Sequence, residues 1–169
     1  MNPSEPAGAR HHLPPLLVLA VGNRSRGDDA LGPALLDRLR AGGIGLEGSE
    51  VELLEDFQLQ VEHALDLDGR RAVLFVDALA AGSTPAGAEP ALKALEPGEG
   101  ARLWTHALLP EALLQVARSL GRSVPPAALL AIPGRDFGLG EGLSPPAQAA
   151  LGRAEALARA WISAYTAAG

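Results

Sequence analysis

Leu16-Leu17-Val18-Leu19-Ala20-Val21, followed at once by Gly22-Asn23, is the stretch on which the fold turns. Six consecutive apolar residues are of strand length, and a run without polar alternation marks a strand covered on both faces, as in a parallel sheet. Gly22-Asn23 stops it. After the polar loop Arg24–Gly27, the segment Ala30–Arg40 repeats apolar residues at Leu31, Ala34, Leu35 and Leu39 before Gly42-Gly43. That spacing predicts a helix, with Asp28 and Asp29 at the N-cap and first turn, where acidic groups are favoured.

The same alternation continues outward. Val51–Leu54 reads as a short strand and Leu59–Leu67 as a helix. Ala72–Val76 (AVLFV) is the clearest further strand, closed by Asp77. Ala91–Leu95 reads as a short edge strand, Leu108–Leu120 as a helix and Ala128–Ile132 as a buried strand stopped by Pro133-Gly134. Pro145–Ala164 reads as a long amphipathic helix with Ser144 as N-cap and Pro145 at its first position. Strands alternating with helices predict a single three-layer α/β/α domain: a mostly parallel twisted sheet with helices on both faces. Residues 1–14 read as a flexible tail and 15–169 as that domain.

Composition narrows the chemistry. The 169 residues are 47% hydrophobic, which excludes disorder, and only 4% aromatic, so the core is built from Ala, Leu and Val. Fourteen basic against 20 acidic side chains give a net charge of −6, and Lys93 is the only lysine. Such a chain is poorly suited to neutralising a phosphate backbone, so no nucleic-acid partner is expected. The absence of cysteine removes disulfides, thiolate metal sites and cysteine nucleophiles together. The run at 16–21 is too short to span a membrane, and a cytoplasmic location is expected. There is no His-Glu-x-x-His, no Gly-x-Ser-x-Gly, and neither a dinucleotide nor a P-loop glycine pattern, so no organic cofactor is expected.

In sheets of this kind, ligands sit beyond the carboxyl ends of the strands. The candidates there are Asp28 and Asp29 after the first strand, Asp77 at the end of the third, and His106. Each also has a structural reading. Asp28 is fully explained as an N-cap, Asp29 as an acidic first turn, Asp77 as a cap of the following turn, and His106 as a capping or core residue. Together, two carboxylates and an imidazole would form an O,O,N metal site with open coordination positions. His63, inside the expected helix, reads as a surface or packing residue; His11 and His12 lie in the tail.

These residues also carry a resemblance. Val18-Leu19-Ala20-Val21-Gly22-Asn23, then Arg26-Gly27-Asp28-Asp29-Ala30-Leu31-Gly32-Pro33, resembles the N-terminal signature of the nickel–iron hydrogenase maturation endopeptidases. Leu74-Phe75-Val76-Asp77-Ala78 with Pro85-Ala86-Gly87, Thr105-His106 with Leu113-Leu114, and Gly142-Leu143-Ser144 resemble its later motifs, in order along most of the chain. One departure stands out. Many members carry Asp-Gly-Gly-Thr after the second strand; here the chain reads Glu55-Asp56-Phe57-Gln58-Leu59, resembling a branch associated with soluble NAD-linked hydrogenases.

The resemblance implies a peptidase that removes a C-terminal extension from the nickel-loaded large-subunit precursor; a monomer is expected, with no membrane partner. It implies that Asp29, Asp77 and His106 are both metal-binding and catalytic, with the nickel supplied by the substrate and water attacking the scissile peptide. It favours Asp29 over Asp28 as the ligand of the first motif. Two other readings compete: a non-catalytic metal-sensing or chaperone module for the precursor, and a hydrolase like the peptidyl-tRNA hydrolases, which also start with a strand leading into Gly-Asn.

Overall fold

The computed structural model describes residues 14–80, 87–98 and 108–167. Their elements are, in chain order, β1 (Leu16–Val21), α1 (Leu31–Ala41), β2 (Val51–Asp56), β3 (Ala72–Leu79), β4 (Ala91–Leu95), α2 (Pro110–Ser119), β5 (Ala127–Pro133) and α3 (Pro145–Ala167). Single 3-10 turns at Gly27–Ala30 and Val61–Ala64 complete the set. The sheet order is β2-β1-β3-β5-β4, parallel throughout except for β4, which pairs antiparallel with β5 at the edge.

All six residues of β1 are buried, as expected of a strand with two parallel neighbours and helices on both sides. Its period-2 alternation sends Leu16, Val18 and Ala20 to one core and Leu17, Leu19 and Val21 to the other. The first core packs against α1 and α3, through Leu31, Leu35, Leu36 and Leu39 of α1 and Leu151, Ala154, Ala158 and Trp161 of α3. The second packs against α2 and the turn near residue 64, through Leu113, Leu114, Ala117, Ala64 and Leu67. The three-layer α/β/α arrangement is therefore present.

Three local expectations change. The expected helix at 59–67 is only the 3-10 turn Val61–Ala64, preceded by extended Gln60. A segment this short gains few helical bonds against a costly nucleus, and its backbone is tied locally instead: His63 Nδ1 accepts from the Gln60 N–H at 2.9 Å. β3 runs on past Val76 to Leu79, so Asp77 lies inside the strand, opposite Ala131 of β5. Asp28, read as a helix N-cap, sits inside the 3-10 turn and caps no helix with its side chain; its partners are on a distant loop, described below. The start of α3 is as expected: the Ser144 Oγ accepts from the Ala147 N–H at 3.3 Å. Among the described residues no helix is long and apolar enough to cross a membrane.

Candidate active site

The site lies at the carboxyl end of the parallel strands, where β1 turns into Gly22-Asn23. Gly22 has φ +146°, and a Cβ there would fall on the Asp29 backbone carbonyl. Only glycine lets the chain fold back so tightly, and this approach brings Asp29 beside the strand end. The Asp29 Oδ2 accepts from the Asn23 N–H at 3.2 Å. The side chain is half-buried and faces a cleft.

Asp77 reaches the same cleft from β3. Val73 and Phe75 belong to the core beneath α2, and Asp77 continues that alternation one step further toward the open end of the sheet. The cleft holds about 170 Å³ and is lined by Asp29 and Asp77 together with Leu19, Phe75 and Leu129 from the sheet, Phe57 and Leu59 from the segment after β2, and Leu108 and Leu109 before α2. Burial in these apolar walls pushes the Asp77 carboxyl up to about 6, with the nearby Asp29 charge adding to the rise and a backbone hydrogen bond from Ala78 opposing it. Two carboxylates 48 residues apart in sequence, one on the turn after β1 and one within β3, thus share one cleft, and burial raises one of them to about 6.

Asp28, adjacent in sequence, does something else. It is fully buried. Its Oδ2 accepts from the N–H groups of Arg135 (2.7 Å) and Asp136 (3.0 Å) and from the Ser144 hydroxyl (2.8 Å), and its Oδ1 from the Ser144 N–H (2.7 Å). Burial acts to raise its carboxyl, and these bonds from Asp136, Arg135 and Ser144 outweigh it, so the group is held below the ordinary carboxylate range. Asp28 is a clamp joining the loop after β1 to the loop between β5 and α3. Gly27, at φ +48°, completes the contact: a Cβ there would lie 2.5 Å from the Asp136 carbonyl oxygen.

His106 and its neighbour Thr105 lie outside the described residues, as do Pro85 and Ala86. Among the described residues no group of three His, Asp or Glu side chains is arranged to hold a metal. His63 is buried, with Nε2 3.3 Å from the Asp56 Oδ2. It ties down the segment that carries Phe57, Gln58 and Leu59 into the cleft wall. Sequence reasoning did not anticipate that wall. The one signal available was the departure from the glycine-rich run, which replaces small residues by Phe57, Gln58 and Leu59.

No family model and no curated protein matches the chain. Solved structures do. The hydrogenase maturating endopeptidase HybD from E. coli superposes with a TM-score of 0.66 at 22% identity, covering 88% of this chain and 91% of that one. A hydrogenase 2 maturation peptidase from a Thaumarchaeota archaeon gives 0.60 at 26% identity, covering 87% and 97%. The nickel–iron hydrogenase maturation protease HybD from Thermococcus kodakarensis gives 0.62 at 20%, covering 86% and 97%. With element order, sheet and cleft in place, the chain has the fold of the hydrogenase maturation endopeptidases.

Proposed function

We propose that the protein is an endopeptidase that removes the C-terminal extension from the large-subunit precursor of a nickel–iron hydrogenase once nickel has been inserted. The observation that carries this reading is the convergence of Asp29 and Asp77 in one cleft at the carboxyl end of the sheet. The motif resemblance and the shared fold support it. In this reading Asp29 and Asp77, with His106 as a third donor, engage the nickel that arrives with the substrate. Hard oxygen donors and an imidazole suit recognition of a metal already held by softer ligands, because they bind it and then release it. The reading needs no organic cofactor, and it places a monomer in the cytoplasm.

Bound nickel would polarise the scissile carbonyl or activate water. The remaining work belongs to the chain. A carboxylate that titrates near 6 is mostly ionised at pH 7 and is close enough to neutrality to accept and return a proton, which is the requirement for a general base. Asp77 fits that role, taking a proton from the attacking water and returning it to the leaving amine. Burial, with a smaller addition from the Asp29 charge, keeps Asp77 from ionising earlier, and Asp29 shares the approach to the substrate.

The test is intact-mass analysis of a purified precursor incubated with the protein, with and without nickel loading. The expected result is loss of one fixed C-terminal peptide, only from the nickel-loaded sample. Stable complex formation without any cleavage would instead identify a holding module.

A further inference from the structure

The cleft is not equally polar throughout. Leu19, Phe75 and Leu129 stand side by side on β1, β3 and β5 in register, Leu19 opposite Phe75 and Phe75 opposite Leu129. They form an apolar floor. Asp77 stands two residues further along β3, ~6.6 Å toward the open end at the usual rise per residue. Leu59 closes one side and Leu109, half exposed, forms the opposite lip. The whole cleft, carboxylates included, holds about 170 Å³, against the roughly 150 Å³ apolar cavity that accepts a benzene molecule, so its apolar part has room for no more than one side chain. A second, polar depression, lined by Asn23, Arg24, Ser25 and Glu55, continues from it across Gly22 and Phe57. An extended chain laid over Gly22 would have a polar groove to one side and an apolar hole beneath the carboxylates.

We propose that this hole is a specificity pocket: it takes one aliphatic side chain, from a residue directly flanking the scissile peptide, and so places that peptide against Asp29 and Asp77. The proposal rests on the peptidase reading above and adds to it a determinant of which sequences are cut. Among the described residues the floor of Leu19, Phe75 and Leu129 offers no polar group, the polar side chains Asp29, Gln58 and Asp77 being elsewhere in the lining, so a charged or amide side chain that reached the floor would lose its hydration without a partner.

Two measurements test it. In the first, which needs no cleavage, the methyl signals of Leu19, Leu59 and Leu129 are followed by NMR during titration with acetyl-Ala-Leu-Ala-amide and with acetyl-Ala-Asn-Ala-amide. The Leu peptide is expected to shift these three signals while Leu36 and Leu151, in the opposite core, stay still; the Asn peptide is expected to shift none. Equal response to both peptides, or shifts elsewhere only, would overturn the proposal.

In the second, nickel-loaded precursors carry Leu, Ala or Asp at each position flanking the cut. At one of the two positions, Leu is expected to be cleaved about 100-fold faster than Asp, within the range one pocket contributes. Leu129→Phe, which fills the hole, is expected to lower the Leu-to-Ala preference about tenfold, and Leu59→Ala, which enlarges it, to shift preference toward bulkier side chains. If either variant fails to fold, the other decides. Cleavage indifferent to both positions would refute the pocket and leave the peptidase standing. Failure to cut any precursor, with the Leu-specific shifts intact, would refute the peptidase and leave an apolar side-chain site.

Discussion

Asp28 and Asp29 are neighbours in sequence with opposite assignments in space. Asp28 is sealed from solvent and saturated by four donors on a loop more than 100 residues away. Asp29 opens onto a cleft and, among the described residues, has one side-chain hydrogen bond, of 3.2 Å. The same side chain thus serves the fold at one position and opens onto a cleft at the next, and among the described residues the difference lies in how many donors surround the carboxylate. A saturated carboxylate has its pKa lowered and its geometry fixed; an undersaturated one in an apolar cleft, as Asp77 shows, has it raised. In the proposed function the acidic pair therefore divides labour, Asp28 holding two loops together and Asp29 facing the substrate.

The sharpest way to break this comparison is to remove one carboxylate at a time. Asp29→Ala should lower precursor cleavage by about 10³-fold, the usual scale for a positioned acid–base or charge-stabilising group, while costing no more than about 1 kcal/mol of stability for its hydrogen bond from Asn23. Asp28→Ala should do the reverse. It leaves two backbone N–H groups of one loop and the Ser144 N–H and hydroxyl without their acceptor, and should cost about 3–5 kcal/mol in denaturant unfolding. Activity per folded molecule should fall far less than in Asp29→Ala, because Asp28 does not itself line the cleft and the β5–α3 loop it grips does not either.

The pH dependence separates the two groups with opposite signs. The Asp28 carboxyl is lowered in the folded state, so its stabilisation is present above the unfolded value near 3.8 and is lost as pH falls below it. The Asp77 carboxyl is raised to about 6, so folding is least penalised below pH 4 and loses stability as pH rises through 6, by up to about 3 kcal/mol. Cleavage should run the other way, with an acid limb below pH 6, because nickel arriving beside Asp77 favours its ionised form. The smallest effect belongs to the exposed rim, where Arg24 bridges Asp37 and Glu55 at 2.7 and 2.6 Å. Arg24→Ala should cost no more than about 1 kcal/mol, and less in high salt, because solvent and ions screen such pairs.

The fold was legible in the sequence because it is written locally. An unbroken apolar run at 16–21, the AVLFV run before Asp77 and the Ser144-Pro145 helix start each depend on neighbours within a few residues. The Asp28 clamp was not legible, because a carboxylate before a helical segment looks like a cap until its distant partners at 135, 136 and 144 are known. The single turn at 61–64 passed for a helix because apolar spacing does not report length limits or the local bond from Gln60 to His63. Asp29 and Asp77 were legible as candidates from their place at strand ends. Their shared cleft, and the apolar floor beneath them, required the sheet register. His106, the third residue of the expected trio, lies outside the described residues.

The most direct test of the division between fold and chemistry is Asp77→Asn, measured at pH 7.5 for unfolding and for cleavage of nickel-loaded precursor on the same preparation. Removing a charge that burial disfavours should leave the protein at least as stable as the parent, by up to about 3 kcal/mol, while cleavage falls by about 10³-fold. A variant that still cuts within tenfold of the parent, or whose activity falls only in step with its folded fraction, would contradict the assignment of Asp77 to the chemistry.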